Sequence, residues 1–138
     1  LPGMKILEFS FGSDDPNNDC LPYNFSKNCV CYPGTHDNMP VAGWLETASE
    51  SEINFCKEYI NYKEGEDFCD AFIKTVLGTA ANTAIIAMQD WLGTGKYTRM
   101  NEPSTSGGNW QWRLLKGQAD SKLAKRMYHH AKLYGRLR

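Results

Sequence analysis

The sequence contains no long hydrophobic run. Its most apolar segment, from Ala84 to Met88, is five residues long, whereas a helix that crosses a membrane needs about 20 apolar residues. A secretory signal, with a basic start followed by an apolar stretch, is not apparent either. We therefore expect a protein of the cytoplasm that has no membrane partner.

Metal-binding patterns are missing as well. The five cysteines include no Cys-x-x-Cys pair and no zinc-like spacing. His129 and His130 are adjacent, which on a helix points their side chains about 100° apart and keeps both from reaching one ion. Cys29 and Cys31 share one face of a predicted strand, where cysteine acts as a small hydrophobic residue. We expect reduced thiols and no metal site.

Two catalytic signatures are incomplete or absent. The segment Gly93–Lys96 resembles part of a phosphate-binding loop, which needs a glycine five residues before its last glycine and a Ser or Thr after the lysine. Asp90 and Tyr97 occupy those two places. The Gly-x-Ser-x-Gly turn of the α/β hydrolases is missing too. These gaps argue against a P-loop nucleotide hydrolase and against a serine hydrolase of that type.

Charge is nearly balanced overall but unevenly distributed. Fifteen Lys and Arg residues against 16 Asp and Glu residues give a net charge of −1, which argues against nucleic-acid binding by the whole chain. Residues 111–138 contain eight basic residues and one acidic residue, Asp120. Such a segment can bind a polyanion. A solvated helix, with cations favoured near its C-terminal end, explains the same pattern without a ligand.

With 138 residues the chain has the length of one domain, and its predicted elements indicate an α/β fold. Three apolar runs predict strands: Lys5–Phe11, Cys29–Tyr32 and Ala84–Met88. Helical periodicity and capping residues predict helices after Ser49, near Asp67 and from about Asp120. The order strand, loop, strand, helices, strand, helix is that of βα units around a parallel sheet.

A polar segment, Gly34 to Asn38, directly follows the predicted strand at Cys29–Tyr32. Loops at the carboxyl ends of strands in α/β folds project into one pocket, so this segment is a candidate functional site. It equally suits a turn in which Asp37 or Asn38 caps the backbone. Spacing alone leaves both interpretations open.

Trp110 and Trp112 are two residues apart. They could form an aromatic platform for a ligand. The same spacing suits packing on one face of an extended segment, which is the interpretation that we prefer from the sequence.

Five sequence blocks cover nearly the whole chain: Leu1–Phe9, Tyr32–Trp44, Met88–Gly93, Arg99–Pro103 and Gly108–Leu114. Together and in this order they resemble the 4-α-glucanotransferases, also called amylomaltases or disproportionating enzymes, of glycoside hydrolase family 77. The blocks correspond to the C-terminal portion of the family's catalytic domain. The resemblance thus implies that residues 1–138 are an incomplete domain, a segment of a longer enzyme.

The resemblance implies a (β/α)₈ barrel, which needs about 250 residues. This chain would supply about three βα units, with its three predicted strands as barrel strands six, seven and eight. A parallel sheet of three strands leaves two edges uncovered. We therefore expect the rest of the parent barrel as a partner, or self-association through these edges.

The family's reaction is retaining transfer of α-1,4-glucan segments between maltodextrins, without a metal or organic cofactor. One carboxylate attacks the sugar, a second acts as acid and base, and a third holds the ring hydroxyls near the transition state. The resemblance gives the third role to Asp37 and places His36 against the same sugar. It places Asn38, Asn101 and Asp14 near the glucan.

The nucleophile and the acid/base of the family lie after barrel strands four and five, and this sequence has no match for either block. Glu8 and Asp90 do not replace them, since neither lies in the corresponding motif and Glu8 falls within a predicted strand. We expect the chain alone to be inactive. The alternative is a stand-alone, non-catalytic glucan-binding or assembly module, which an initiator Met just before Leu1 would favour.

Overall fold

The computed structural model describes residues 1–137 and contains a parallel sheet of three strands in the order β1-β2-β3. The strands are β1 (Gly3–Ile6), β2 (Cys29–Tyr32) and β3 (Thr83–Ala84). All of β1 pairs with β2, from Gly3 opposite Cys29 to Ile6 opposite Tyr32. The expected α/β class, with three parallel strands, is confirmed.

The first strand is shorter than the apolar run predicts. We expected a strand over Lys5–Phe11, but a 3₁₀ helix occupies Leu7–Gly12. Leu7 and Phe11 are both buried whereas Phe9 is exposed. In a strand Phe9 would share one face with Leu7 and Phe11, so its exposure is incompatible with a strand and fits a helical turn. The hydrophobic run alone did not show this change of periodicity.

The predicted strand at Ala84–Met88 is also wrong in its bounds. Only Thr83–Ala84 pairs with β2, and helix α4 begins at Met88, where we expected the strand to end. Three consecutive residues of this helix are buried: Gln89, Asp90 and Trp91. The apolar run is therefore the approach to a short buried helix.

Five α-helices complete the fold: α1 (Val41–Thr47), α2 (Glu50–Tyr59), α3 (Phe68–Leu77), α4 (Met88–Leu92) and α5 (Ser121–Leu133). The three predicted helices are confirmed, together with the capping box predicted for the first of them. Ser49 and Glu52 form a capping box on α2, while Asp67 and Asp120 cap α3 and α5. Helices α1 and α4, which we did not predict, have no side-chain cap and so lack the capping signal that marks the other three.

The main core is an aromatic cluster built around Phe11. Its ring lies within about 6 Å of four others, those of Trp44, Phe55, Tyr59 and Phe72. Full burial of one such side chain contributes roughly 1.5–3 kcal/mol. All five cysteines are free, and four of them are buried. Burial raises the pKa of the Cys31 thiol to about 12, so that it stays protonated as a small core residue.

Helix α5 is joined to the rest of the fold by polar contacts as well as by packing. His130 Nε2 lies 2.7 Å from Asp70 Oδ1 on α3. The Arg126 guanidinium lies over the ring of Trp91 and donates to its carbonyl oxygen. Arg136 donates to three carbonyl oxygens at and beyond the end of α3, those of Leu77, Thr79 and Ala81. At least two basic residues of the final segment thus stabilise the fold.

Replacing Arg136 by alanine should therefore destabilise the chain. The substitution removes charge-assisted hydrogen bonds to three carbonyl oxygens, for which we expect a loss of about 2 kcal/mol in the free energy of unfolding. Denaturant unfolding of the two proteins measures it. The exposed Lys132 supplies the control: Lys132→Ala should change stability by less than about 0.5 kcal/mol. Equal effects of both substitutions would contradict the assigned role.

Two features are absent from residues 1–137. None of the helices there is both long enough and apolar enough to cross a membrane. No group of three or more His, Cys, Asp or Glu side chains in that range is arranged to hold a metal ion.

Candidate active site

The loop between β2 and α1 borders a cavity of about 400 Å³. Because the three strands are parallel, the segments that follow them meet at one edge of the sheet. The cavity is lined from that edge, by residues of the β2–α1 loop, of α4 and of the chain beyond it: His36, Asp37, Asn38, Gln89, Asp90 and Arg99. The polar segment after β2 thus faces a shared pocket, as the strand order predicts.

Asp37 is half-buried, with 45% of its side chain exposed. Its Oδ1 accepts a hydrogen bond of 2.7 Å from Asn101 Nδ2 and lies 3.3 Å from His36 Nε2. Within residues 1–137, no hydrogen bond from the protein reaches Oδ2. One oxygen is thus held in place while the other is free to receive a ligand hydroxyl.

The backbone around Asp37 is fixed from the far side of the cavity. Arg99 donates to the carbonyl oxygen of Asp37 at 2.7 Å and to that of Asn101 at 2.9 Å. The Asn101 N–H donates to the carbonyl oxygen of His36 at 3.0 Å. These contacts bring Asn101 to Asp37 and His36 across more than 60 residues of sequence. The sequence reasoning missed Arg99, although it lies in one of the five blocks.

Asn38 has a different role from its neighbour. Its Oδ1 accepts hydrogen bonds from both the N–H and the hydroxyl of Thr35, each at 2.8 Å. Of the two residues that could have capped the turn, Asn38 does so and the Asp37 carboxylate does not. Asn38 lines the cavity, but its oxygen is used within the loop.

Asp14 lies in another part of the surface. It borders a second cavity together with Phe11, Ser51 and Glu58, and it does not line the cavity of Asp37. The structure therefore brings together four of the five predicted site residues and leaves Asp14 apart.

A buried carboxyl group, that of Glu8, lies directly beneath the loop. Only 5% of Glu8 is exposed, and its Oε1 has no hydrogen-bond partner within residues 1–137. A Cβ atom at Gly34 would stand 2.7 Å from this oxygen, so the glycine is what allows the close approach. Burial raises the pKa of Glu8 to about 9, the charge of Asp90 adds to the rise, and Arg99 opposes it. Glu8 lies in the 3₁₀ helix and not, as expected, in a strand.

Asp90 is a second buried carboxyl group at the same edge. Its Oδ1 accepts a 2.9 Å hydrogen bond from the Val41 N–H, which fixes the first turn of α1. Burial raises the pKa of Asp90 to about 6, and this hydrogen bond opposes the rise. Glu8 and Asp90 follow β1 and β3 just as Asp37 follows β2. For Asp90, which comes two residues after a predicted strand, this position was a signal that could have been used; Glu8 lay within a predicted strand and gave no such signal.

Trp110 does not pack as the sequence suggested. It lies in a turn and is 51% exposed, so the preferred interpretation, packing on one face of an extended segment, is wrong for this residue. Its ring centroid is 5.2 Å from that of His36, which places an indole beside the candidate site.

Comparison with known proteins bears on the same segments. The model of glycoside hydrolase family 77, described as 4-alpha-glucanotransferase, matches residues 1–118. The chain is 44% identical over 137 residues to the 4-alpha-glucanotransferase of Clostridium butyricum, covering 99% of this chain and 28% of that protein. It is 40% identical to the chloroplastic/amyloplastic 4-alpha-glucanotransferase of Solanum tuberosum, covering 99% of this chain and 24% of that relative.

A solved structure shows the same arrangement of the backbone. The amylomaltase from Streptococcus agalactiae, in complex with acarbose, superimposes with a TM-score of 0.95 at 33% identity, over 100% of this chain and 28% of that one. The chain thus spans about a quarter of the length of the relatives that it matches.

Proposed function

The chain belongs to the 4-alpha-glucanotransferase family, and on that premise we propose that it is a segment of an enzyme that transfers α-1,4-glucan segments between maltodextrins. The observation that carries the proposal is the hydrogen bonding of the Asp37 carboxylate. Its carboxylate is fixed through one oxygen and open through the other, at the edge of the sheet where the loops after all three strands meet.

In the proposed mechanism, Asp37 stabilises the transition state of a retaining double displacement. The attacked sugar takes on oxocarbenium character, and positive charge develops at its ring. A carboxylate held in a partly desolvated pocket stabilises that charge without having to reorganise. The free Oδ2 accepts hydrogen bonds from hydroxyl groups of the same sugar ring and thereby helps to distort it.

The neighbouring side chains would bind the substrate. His36 is next to Asp37 and 56% exposed, so it can donate to the same sugar. Asn101 would act by positioning the carboxylate, to which its amide donates. Asn38 would act mainly by holding the loop, and Asp14 would contact the glucan at a distance from Asp37. No cofactor enters the proposed reaction.

The two other catalytic carboxylates would come from the parent barrel, in which β1, β2 and β3 would serve as strands six to eight. Without the nucleophile and the acid/base the covalent route does not exist, so we propose that the chain alone is inactive. Met4 on β1 and Ile85 just after β3 are both exposed. The rest of the barrel, or a second copy of the chain, would cover these two side chains. We propose that the parent enzyme acts in the cytoplasm.

A hybrid enzyme tests the proposal. The matched segment of the Clostridium butyricum enzyme is replaced by this chain, and the hybrid is assayed for disproportionation of maltotriose. We expect activity from the hybrid and none from the chain by itself or from the bacterial enzyme without its segment. A well-folded but inactive hybrid would contradict the catalytic proposal, and glucan binding by the chain alone would then favour the non-catalytic module.

A further inference from the structure

Trp110 is an exposed indole that stands next to the candidate site without lining its cavity. Half of the residue is accessible to water, whereas tryptophan is mostly buried in folded proteins. Its ring packs on the imidazole of His36, with 5.2 Å between centroids and 39° between planes. His36 itself lines the cavity. The indole therefore extends the surface of the site beyond His36, outside the cavity itself.

The backbone holds this indole in a fixed place. Trp110 has a φ of +63°, a left-handed conformation that is costly for a residue with a large side chain. Its N–H donates to the Met100 carbonyl oxygen at 2.6 Å. Arg113 donates at 2.8 Å to the carbonyl oxygens of both Trp110 and Trp112. Three hydrogen bonds thus stabilise this turn, although the side chain of Trp110 at its centre is half exposed to water.

The rest of the loop is equally well ordered by its own polar groups. Asn109 Oδ1 accepts from the Glu102 N–H at 2.9 Å, and Asn109 Nδ2 donates to Thr105 Oγ1 at the same distance. A loop that is rigid beforehand loses little conformational entropy on binding, which is an advantage for a binding surface and of little use for a surface loop without a partner.

We propose that the indole of Trp110 is a stacking platform for the glucosyl unit that adjoins the one held by His36 and Asp37. The inference rests on the proposed function, because it takes the occupant of the cavity to be an α-1,4-glucan. A pyranose ring has a face of C–H groups about the size of the indole. Stacking that face removes apolar area from water on both sides and leaves the hydroxyl groups at the rim solvated.

Direct binding to the chain gives the first test. The four tryptophans each have one indole N–H signal in a ¹⁵N–¹H correlation spectrum, and Trp110→Phe assigns the signal of interest by its loss. Titration with maltoheptaose should move the Trp110 signal, while those of the buried Trp44 and Trp91 stay in place. No movement of the Trp110 signal at millimolar maltoheptaose would count against the platform.

Kinetics of the hybrid enzyme give the second test. Trp110→Ala keeps the backbone strain and removes the ring, so we expect KM for maltotriose to rise about tenfold with kcat changed by less than about threefold. Trp110→Phe should restore most of the affinity. Tyr128→Ala, at an exposed aromatic residue of α5, should leave both constants unaltered.

These outcomes separate the platform from the proposed function. An unchanged KM in Trp110→Ala would overturn the platform and leave the role of Asp37 intact. A fall in kcat with no change in KM would also overturn it, because the indole would then act only by holding His36. The unmodified hybrid could fail to transfer glucan while the Trp110 signal still responds to maltoheptaose. That combination would contradict the catalytic proposal and leave the stacking platform supported.

Discussion

Asp37→Asn in the hybrid enzyme should lower kcat about 10³-fold while leaving the fold unchanged. The asparagine keeps an oxygen that can accept the 2.7 Å hydrogen bond from Asn101, so the loop retains its geometry. What is lost is the negative charge next to the developing oxocarbenium ion. The measurement is the initial rate of glucose release from saturating maltotriose, with the circular dichroism spectrum as the check on folding.

Glu102→Gln is the matched control for this prediction. It makes the same change from carboxylate to amide one residue away from Asn101, at an exposed side chain that makes no described contact with the cavity. We expect less than a twofold change in kcat. If Asp37→Asn turned over as fast as the control, the transition-state role would belong to another residue.

The second large effect concerns pH. The folded-state pKa of Glu8 is about 9 because of its burial and the charge of Asp90, against about 4.3 for a glutamate in water. Between these values the folded chain binds a proton that the unfolded chain has released. The free energy of unfolding therefore falls as pH rises through this window, by up to about 1.4 kcal/mol per pH unit for a single proton. The stabilising contribution is complete below pH 4 and is lost by pH 9.

Glu8→Gln should flatten this dependence. The amide has nearly the same shape as the protonated carboxyl group but cannot ionise, so the variant and the original chain should have similar stability near pH 5. At pH 8.5 the variant should be the more stable by a few kcal/mol. Denaturant midpoints at pH 5, 7 and 8.5 measure the effect, and Glu64→Gln, at an exposed position, is the control.

Asp90 contributes to the same curve in a narrower window. Burial raises its pKa to about 6, so the folded and unfolded chains differ in the protonation of Asp90 between about pH 4 and 6, and its effect on stability falls in that window. Above pH 6 the difference between the chain and Glu8→Gln reports on Glu8 alone. Identical slopes for the two proteins from pH 6 to 8.5 would mean that the Glu8 carboxyl group is hydrated and ionised in the folded state.

Local signals predicted the helices well and the strands poorly. The capping residues Ser49, Asp67 and Asp120 mark helix starts by satisfying free N–H groups, a short-range effect that can be seen in sequence. The first and third strands were predicted too long at their C-terminal ends, because a hydrophobic run does not show where the hydrogen bonding between strands stops. For β1 the end is set by Phe11, which turns into the aromatic core, and for β3 it is set by the burial of Trp91.

The site was predictable only in part, for a related reason. His36 and Asp37 lie in one turn after one strand, so their position marked the loop as a candidate, and the family resemblance was needed to assign their roles. Asn101 came from the family resemblance, and its contact with Asp37 depends on the path of the chain after α4. Glu8 was rejected as a substitute for the missing catalytic carboxylates, because it lies in no matching motif and within a predicted strand. Its burial beneath Gly34 is a tertiary fact that no local pattern contains.

The contact between Gly34 and Glu8 couples two positions that are 26 residues apart in the chain. A Cβ atom at position 34 would stand 2.7 Å from the Glu8 carboxyl oxygen, so any side chain there requires Glu8 to move within a site where it is only 5% exposed. A mutational library that varies position 34 by itself should therefore be strongly enriched in glycine. Randomising both codons together should recover pairs in which alanine at position 34 is combined with a shorter residue at position 8. The residue tolerated at either position thus depends on the residue at the other.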